Sequence, residues 1–101
     1  MHNTEIDNFD KTKCSYVYIL KSIKDNKLYV GYSINLKNRL LRHKHGRVNA
    51  TKFRRPLKLV YWEKLKNRYD GRKREKYLKS LYGSREKKKL IENFKGKIGV
   101  L

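Results

Sequence analysis

Two short runs dense in β-branched and aromatic residues, Tyr16–Lys21 and Lys27–Tyr32, most constrain what this chain can fold into. The turn-forming Lys24-Asp25-Asn26 lies between them, which predicts an antiparallel hairpin. Side chains alternate across a strand, so Tyr16, Tyr18 and Leu20 share one face of the first run. On the second, Tyr29 goes with Gly31, opposite Leu28, Val30 and Tyr32. Both faces of both strands are fairly apolar, so the sheet is expected to be covered on both sides.

The rest of the chain supplies the cover. Asn35 is a good N-cap, and Leu36 to about His45 reads as a helix stopped by Gly46. Leu36 and Leu40 make its inward stripe, with His43 near the stripe and Arg39 flanking it one turn away. An unpaired arginine is costly to bury, so Arg39 must line a pocket or pair with an acid. Arg47–Arg55 reads as a basic loop and Leu57–Glu63 as a third strand. Asn67 or Asp70 is expected to cap a helix reaching about Leu81, with Tyr77, Leu78, Leu81 and Tyr82 as its apolar stripe. Ser84 is expected to cap a last helix, Arg85–Phe94, with Leu90, Ile91 and Phe94 inward. The expected fold class is a small α/β (α+β) domain: a three-stranded, mostly antiparallel sheet flanked by helices, in the order ββαβαα. Residues 1–13 are read as a flexible lead-in, 14–94 as the domain and 95–101 as a C-terminal tail.

Composition narrows the partners. Among 101 residues, 28 Lys and Arg stand against 9 acids, a net charge of +19. No acid occurs from Asn26 to Trp62, while Lys27, Arg42, Lys44, Arg47, Lys52, Arg54 and Arg55 all fall inside that window. Such a charge selects polyanions and offers nothing to a small neutral substrate. Nucleic acid fits, because each phosphate contact releases counterions. A single cysteine, Cys14, leaves no disulfide framework and no thiolate cluster for zinc. The longest uninterrupted apolar run is the pentad Tyr16–Leu20, far short of a membrane span. With no signal-peptide pattern, a cytoplasmic location is expected, without a membrane partner.

Cutting a phosphodiester needs a group to activate water, a cation near the phosphate, and positive charge for the transition state. Tyr18, Tyr29, Arg39, His43 and Glu75 are the residue types that meet those needs. Each alone has a plainer reading. The tyrosines suit half-buried strands, His43 could be a satisfied core histidine, and Glu75 could pair with Lys79 at i+4. A tyrosine titrating near pH 10 is a poor base at neutrality, so close cations or a metal would have to favour its phenolate. The nine acids form no dense carboxylate cluster, so one divalent ion, held mainly by Glu75 with water and phosphate oxygens, is the natural count. Magnesium tolerates that arrangement. Gly31, lacking a side chain, is expected to let substrate or a neighbouring chain approach the second strand.

The spacing of these residues resembles the GIY-YIG endonuclease family. Tyr16-Val17-Tyr18 stands for the first tripeptide and Tyr29-Val30-Gly31 for the second. Arg39 matches the family's arginine, His43 the His or Tyr one turn on, and Glu75, in Arg74-Glu75-Lys76-Tyr77-Leu78-Lys79, the metal-binding glutamate. The segment Thr51–Tyr61 looks like that of small stand-alone bacterial members, related to the incision nuclease domain of nucleotide-excision repair. The resemblance covers roughly Ser15 to Phe94. It implies a Mg²⁺- or Mn²⁺-dependent endonuclease on DNA, linked to repair or recombination and selective for structure more than sequence. Tyr16 replaces the leading Gly of the first motif, and Tyr32 stands where excision-repair members tend to have Lys. Lys27 or Arg42 would then have to supply the missing cation. A partner protein could supply specificity; RNA stays open as a substrate, and so does the oligomeric state. The rival readings are a non-catalytic nucleic-acid-binding module of the same fold and a basic RNA-associated protein.

Overall fold

The computed structural model describes residues 13–96 and 98–101. The lead-in expected over 1–13 lies outside the described residues apart from Lys13. The elements are β1 (Ser15–Ser22), β2 (Leu28–Ser33), α1 (Leu36–Lys44), β3 (Leu57–Leu65), α2 (Arg68–Lys79), α3 (Gly83–Asn93) and β4 (Gly99–Val100). The order ββαβαα holds, and every pairing in the sheet is antiparallel. The sheet has four strands, ordered β2-β1-β3-β4, where the sequence led us to expect three. The extra strand comes from the segment read as a tail. Two residues are too few to show a period, and one of them is a glycine. Leu101 extends the attachment by donating its N–H to the Leu57 carbonyl at 2.8 Å.

β1 and β2 form the expected hairpin, with Tyr18 opposite Gly31 and Leu20 opposite Tyr29. Asn26 takes the left-handed conformation (φ 62°) that the turn requires and that asparagine tolerates. As expected, both faces of the sheet are covered. Val17, Ile19, Val30 and Val60 bury against Leu78 of α2, with Leu90 and Ile91 of α3 behind. On the other face Tyr18, Leu20 and Leu57 bury against Leu36 and Leu40 of α1, with Trp62 and Leu101. The β1–β3 register shifts between Ile19 and Leu20. This bulge turns two consecutive residues of β3, Val60 and Tyr61, toward the same core, which strict alternation forbids.

Asn35 caps α1 as expected, accepting from the Asn38 N–H at 3.1 Å, and Asn67 caps α2, accepting from Asp70 at 2.7 Å. Two expectations for the second half need correction. First, α2 ends at Lys79, so of the expected stripe only Leu78 is buried, while Leu81 is 90% exposed. Second, α3 starts at Gly83 without a side-chain cap, rather than after Ser84. The helices are close-packed at this corner. A Cβ on Gly83 would lie 2.4 Å from the Tyr77 carbonyl oxygen and 2.7 Å from Leu78 Cα. A chain that must turn this tightly has no room for another helical turn. Among the described residues no helix is long and apolar enough to cross a membrane.

Candidate active site

The face covered by α1 carries the unusual chemistry. Tyr18, central in β1, is fully buried, and its hydroxyl shares a 2.7 Å hydrogen bond with Nε2 of His43, also fully buried. His43 Nδ1 in turn shares a 2.8 Å hydrogen bond with Oγ1 of buried Thr51. Tyr29, on the neighbouring strand, sets its ring edge-to-face on His43 at 5.2 Å and lies 6.3 Å from the Tyr18 ring. The hairpin register brings the two tyrosines together, and α1 lowers His43 between them. Burial pushes the His43 pKa down to about 4, with Arg39 and Arg42 adding repulsion, so the ring is neutral near pH 7. A neutral imidazole has one donor and one acceptor nitrogen, and both its partners are hydroxyls, which can serve either role. Tyr18, His43 and Thr51 therefore form a short hydrogen-bonded chain that can run in either direction.

Arg39 leans on the same group from α1. The Tyr18 hydroxyl holds the guanidinium pKa above the ordinary arginine value, against the effect of burial, and Tyr29 adds to it. Tyr18 is raised well above the usual tyrosine range, chiefly by burial, with Arg39 pulling the other way. Arg39 Nε is buried with no hydrogen-bond partner among the described residues. Among the described residues the groups that bear on this arginine are the Tyr18 and Tyr29 hydroxyls, not a paired acid.

Gly31 has a different job from the one expected. A Cβ there would sit 2.2 Å from Tyr18 Cζ and 2.3 Å from its hydroxyl oxygen. The group approaching this glycine is the Tyr18 ring, lying across the strand on its way to His43. That contact needs the cross-strand register, which alternation alone does not reveal.

Glu75 stands on α2, which packs on the opposite face of the sheet from α1. Its carboxylate is 14% exposed and makes the expected i+4 pair with Lys79 at 3.0 Å, plus a second with Arg72 at 3.3 Å. Its negative charge still acts on Tyr18 through space, raising that pKa further. Arg72, beside Glu75, stacks its guanidinium 3.9 Å above the Tyr32 ring. No three His, Cys, Asp or Glu residues cluster as a metal site among the described residues. The two cation partners of Glu75 leave some of its carboxylate's roughly four lone-pair positions free. That donor set suits an ion that keeps most of its waters.

The basic residues divide. Lys27, Arg42, Lys44, Arg47 and Arg55 are exposed, and Lys52 is half-buried. Arg55 is fixed by the carbonyls of Lys52 (3.1 Å) and Lys44 (3.2 Å). Arg54 is the exception: it pairs with Asp25 at 3.4 Å and its Nη2 is buried. Thr51 is the site residue that sequence reasoning missed. A threonine in a basic loop carries no signal, and only the loop's return beneath α1 gives it a partner.

The sequence matches the GIY-YIG catalytic domain family over residues 14–89. A UPF0213 protein of Staphylococcus haemolyticus is 41% identical over 78 residues, covering 76% of this chain and 93% of the relative. One from Clostridium perfringens is 44% identical over 68 residues, covering 66% and 72%. One from Syntrophus aciditrophicus is 40% identical over 80 residues, covering 77% and 90%. No solved structure matches the chain significantly.

Proposed function

Because the chain belongs to the GIY-YIG family, whose catalytic domain implies nuclease-type chemistry on nucleic acid, we propose that it is a divalent-metal-dependent DNA endonuclease. It hydrolyses one phosphodiester per encounter, selects structure over sequence, and serves repair or recombination. The observation that carries this reading is Arg39: a half-buried guanidinium whose Nε is buried and unpartnered, set against two phenols beside a neutral imidazole and, among the described residues, paired with no carboxylate. A phosphate is the ligand such a group lacks.

Glu75 is the residue that would hold Mg²⁺ or Mn²⁺. When bound, the ion would neutralise charge on the scissile phosphate and on its leaving oxygen. Tyr29 orients the attacking water and takes its proton, because its ring is half-buried while the Tyr18 hydroxyl is engaged with His43. Tyr18, His43 and Thr51 hold the constellation rigid through their hydrogen-bonded chain, and the Tyr29 ring packs against it. Arg39 stabilises the charge that builds on the phosphate oxygens. Arg42, Lys44, Arg47, Lys52 and Arg55, with Lys27 at the hairpin, grip the backbone, which positions the duplex without reading its sequence.

The decisive assay is nicking of supercoiled and branched DNA with Mg²⁺, with Mn²⁺ and with chelator. Metal-dependent product that disappears in Glu75→Ala, with DNA affinity retained, is the expected result. Equal loss of affinity and cleavage would remove Glu75 from the metal role, and binding with no product under any metal would leave a non-catalytic module.

A further inference from the structure

Beside the candidate active site, and sharing His43 with it, lies a cleft of about 500 Å³. Four cations line it, Lys24, Lys44, Lys52 and Arg55, and no acid does. Phe53 stands at its rim with 76% of its surface exposed. An aromatic on a floppy loop would mean little, but this loop is fastened on all sides. Thr51 is bonded to His43 at 2.8 Å. The Ser22 hydroxyl donates to the Arg54 carbonyl at 2.7 Å, and the Lys24 ammonium to that of Phe53 itself at 3.2 Å. Arg55 donates to the carbonyls of Lys44 and Lys52. The backbone is fixed while the ring is left in water, with Lys52 Nζ 5.0 Å from its centroid.

Burying Phe53 in the core would stabilise the fold, and holding it outward among cations does not. A flat apolar ring flanked by positive charge matches one ligand chemistry well: a base to stack on the ring, with phosphates on both sides of it. A duplex keeps its bases stacked on one another and offers Phe53 no face. We propose that this cleft binds an unpaired DNA nucleotide, stacked on Phe53 and held by Lys24, Lys52 and Arg55, next to the phosphate that Arg39 receives. The inference rests on the nucleic-acid reading above and adds its substrate class: DNA with a single-stranded element, such as a flap, gap or fork, beside the scissile bond.

The test is a binding ratio taken in chelator, where no cleavage occurs. Affinities for a short oligothymidylate and for a blunt duplex of equal length are compared in the wild type, Phe53→Ala and Phe53→Trp. Loss of one stacked base should weaken oligothymidylate binding by about tenfold or more in Phe53→Ala while leaving the duplex unchanged. Phe53→Trp should restore it. An exposed ring can be removed without unfolding the chain, and equal melting temperatures will confirm that. Unchanged oligothymidylate affinity, or equal loss on both ligands, overturns the proposal. Failure of the nuclease reading shows separately: cleavage would be absent with Phe53 intact while the binding ratio persisted.

Discussion

Two arginines on opposite faces of the sheet, Arg74 and Arg39, are both half-buried and treated in opposite ways. Arg74 Nε meets Glu63 at 2.9 Å, and its Nη2 meets Glu63 at 3.3 Å and Glu86 at 2.9 Å. The Tyr61 hydroxyl donates to the same Glu63 carboxylate. Burial would lower the pKa of Arg74, but the two carboxylates outweigh it and hold the group well above its usual range. Among the described residues Arg39 is set against the Tyr18 and Tyr29 phenols with no paired acid, and its Nε is unpartnered. A fold can lower the cost of a buried cation by supplying acids, and this chain does so where structure is the purpose. Where it does not, the positive charge remains available to an anion from outside.

Substitutions can break that contrast. Arg39→Ala should lower kcat by about 10²–10³-fold with the melting temperature unchanged or slightly raised. Arg74→Ala should do the reverse, costing about 1–3 kcal/mol of stability through two stranded carboxylates and leaving the folded fraction's kcat intact. If calorimetry and single-turnover cleavage gave the roles exchanged, the contrast would be lost.

The pH dependence of stability sharpens it, because Arg39 is one reason His43 resists protonation. The folded pKa of His43, about 4, lies below the value of 6.5 for the free side chain. Between those values the unfolded chain binds the extra proton, so this contribution is whole above pH 6.5 and fades as pH falls toward 4. Its full size is of order 3 kcal/mol. Urea midpoints should therefore drop from pH 7 to pH 4.5, and His43→Gln should flatten that drop. A midpoint that rose on acidification would contradict the burial of a neutral ring.

Gly31→Ala places a methyl 2.2 Å from the Tyr18 ring. It should cost about 1–3 kcal/mol and reduce cleavage by misplacing the Tyr18–His43 pair, whereas Gly99→Ala, with nothing within 4 Å, should do neither. The smallest effect belongs to Thr51→Val. Losing one hydrogen bond to His43 Nδ1 should cost about 1 kcal/mol and shift the acid limb of the kcat profile, while Thr51→Ser keeps both. An unshifted profile in the valine variant would reduce Thr51 to packing.

Much of this was legible from residues alone. The hairpin could be read from two β-rich runs and a turn, and α1 from Asn35, Leu36 and Leu40. That His43 lies near the inward stripe of α1 followed from helical spacing. What escaped had no local signal. The bulge at Val60 and Tyr61 depends on the partner strand, and β4 is too short to carry a period. Leu81 and Tyr82 fit a helical stripe by spacing, yet the contact of Gly83 with Leu78 ends the helix before them. The link from Thr51 to His43 spans a loop whose path is set by its far ends.

The amino-acid order by itself determined the hairpin, α1, β3 and the order ββαβαα, that both faces of the sheet are apolar, and a net charge that favours polyanions. Each follows from short-range periodicity and from charge, which need no knowledge of the remote chain. Only the tertiary structure decided that Tyr18 lies across Gly31 to reach His43, and that among the described residues Arg39 pairs with no acid while Arg74 pairs with two. Those are distances between residues far apart in sequence, fixed when the cores on the two faces of the sheet close against it.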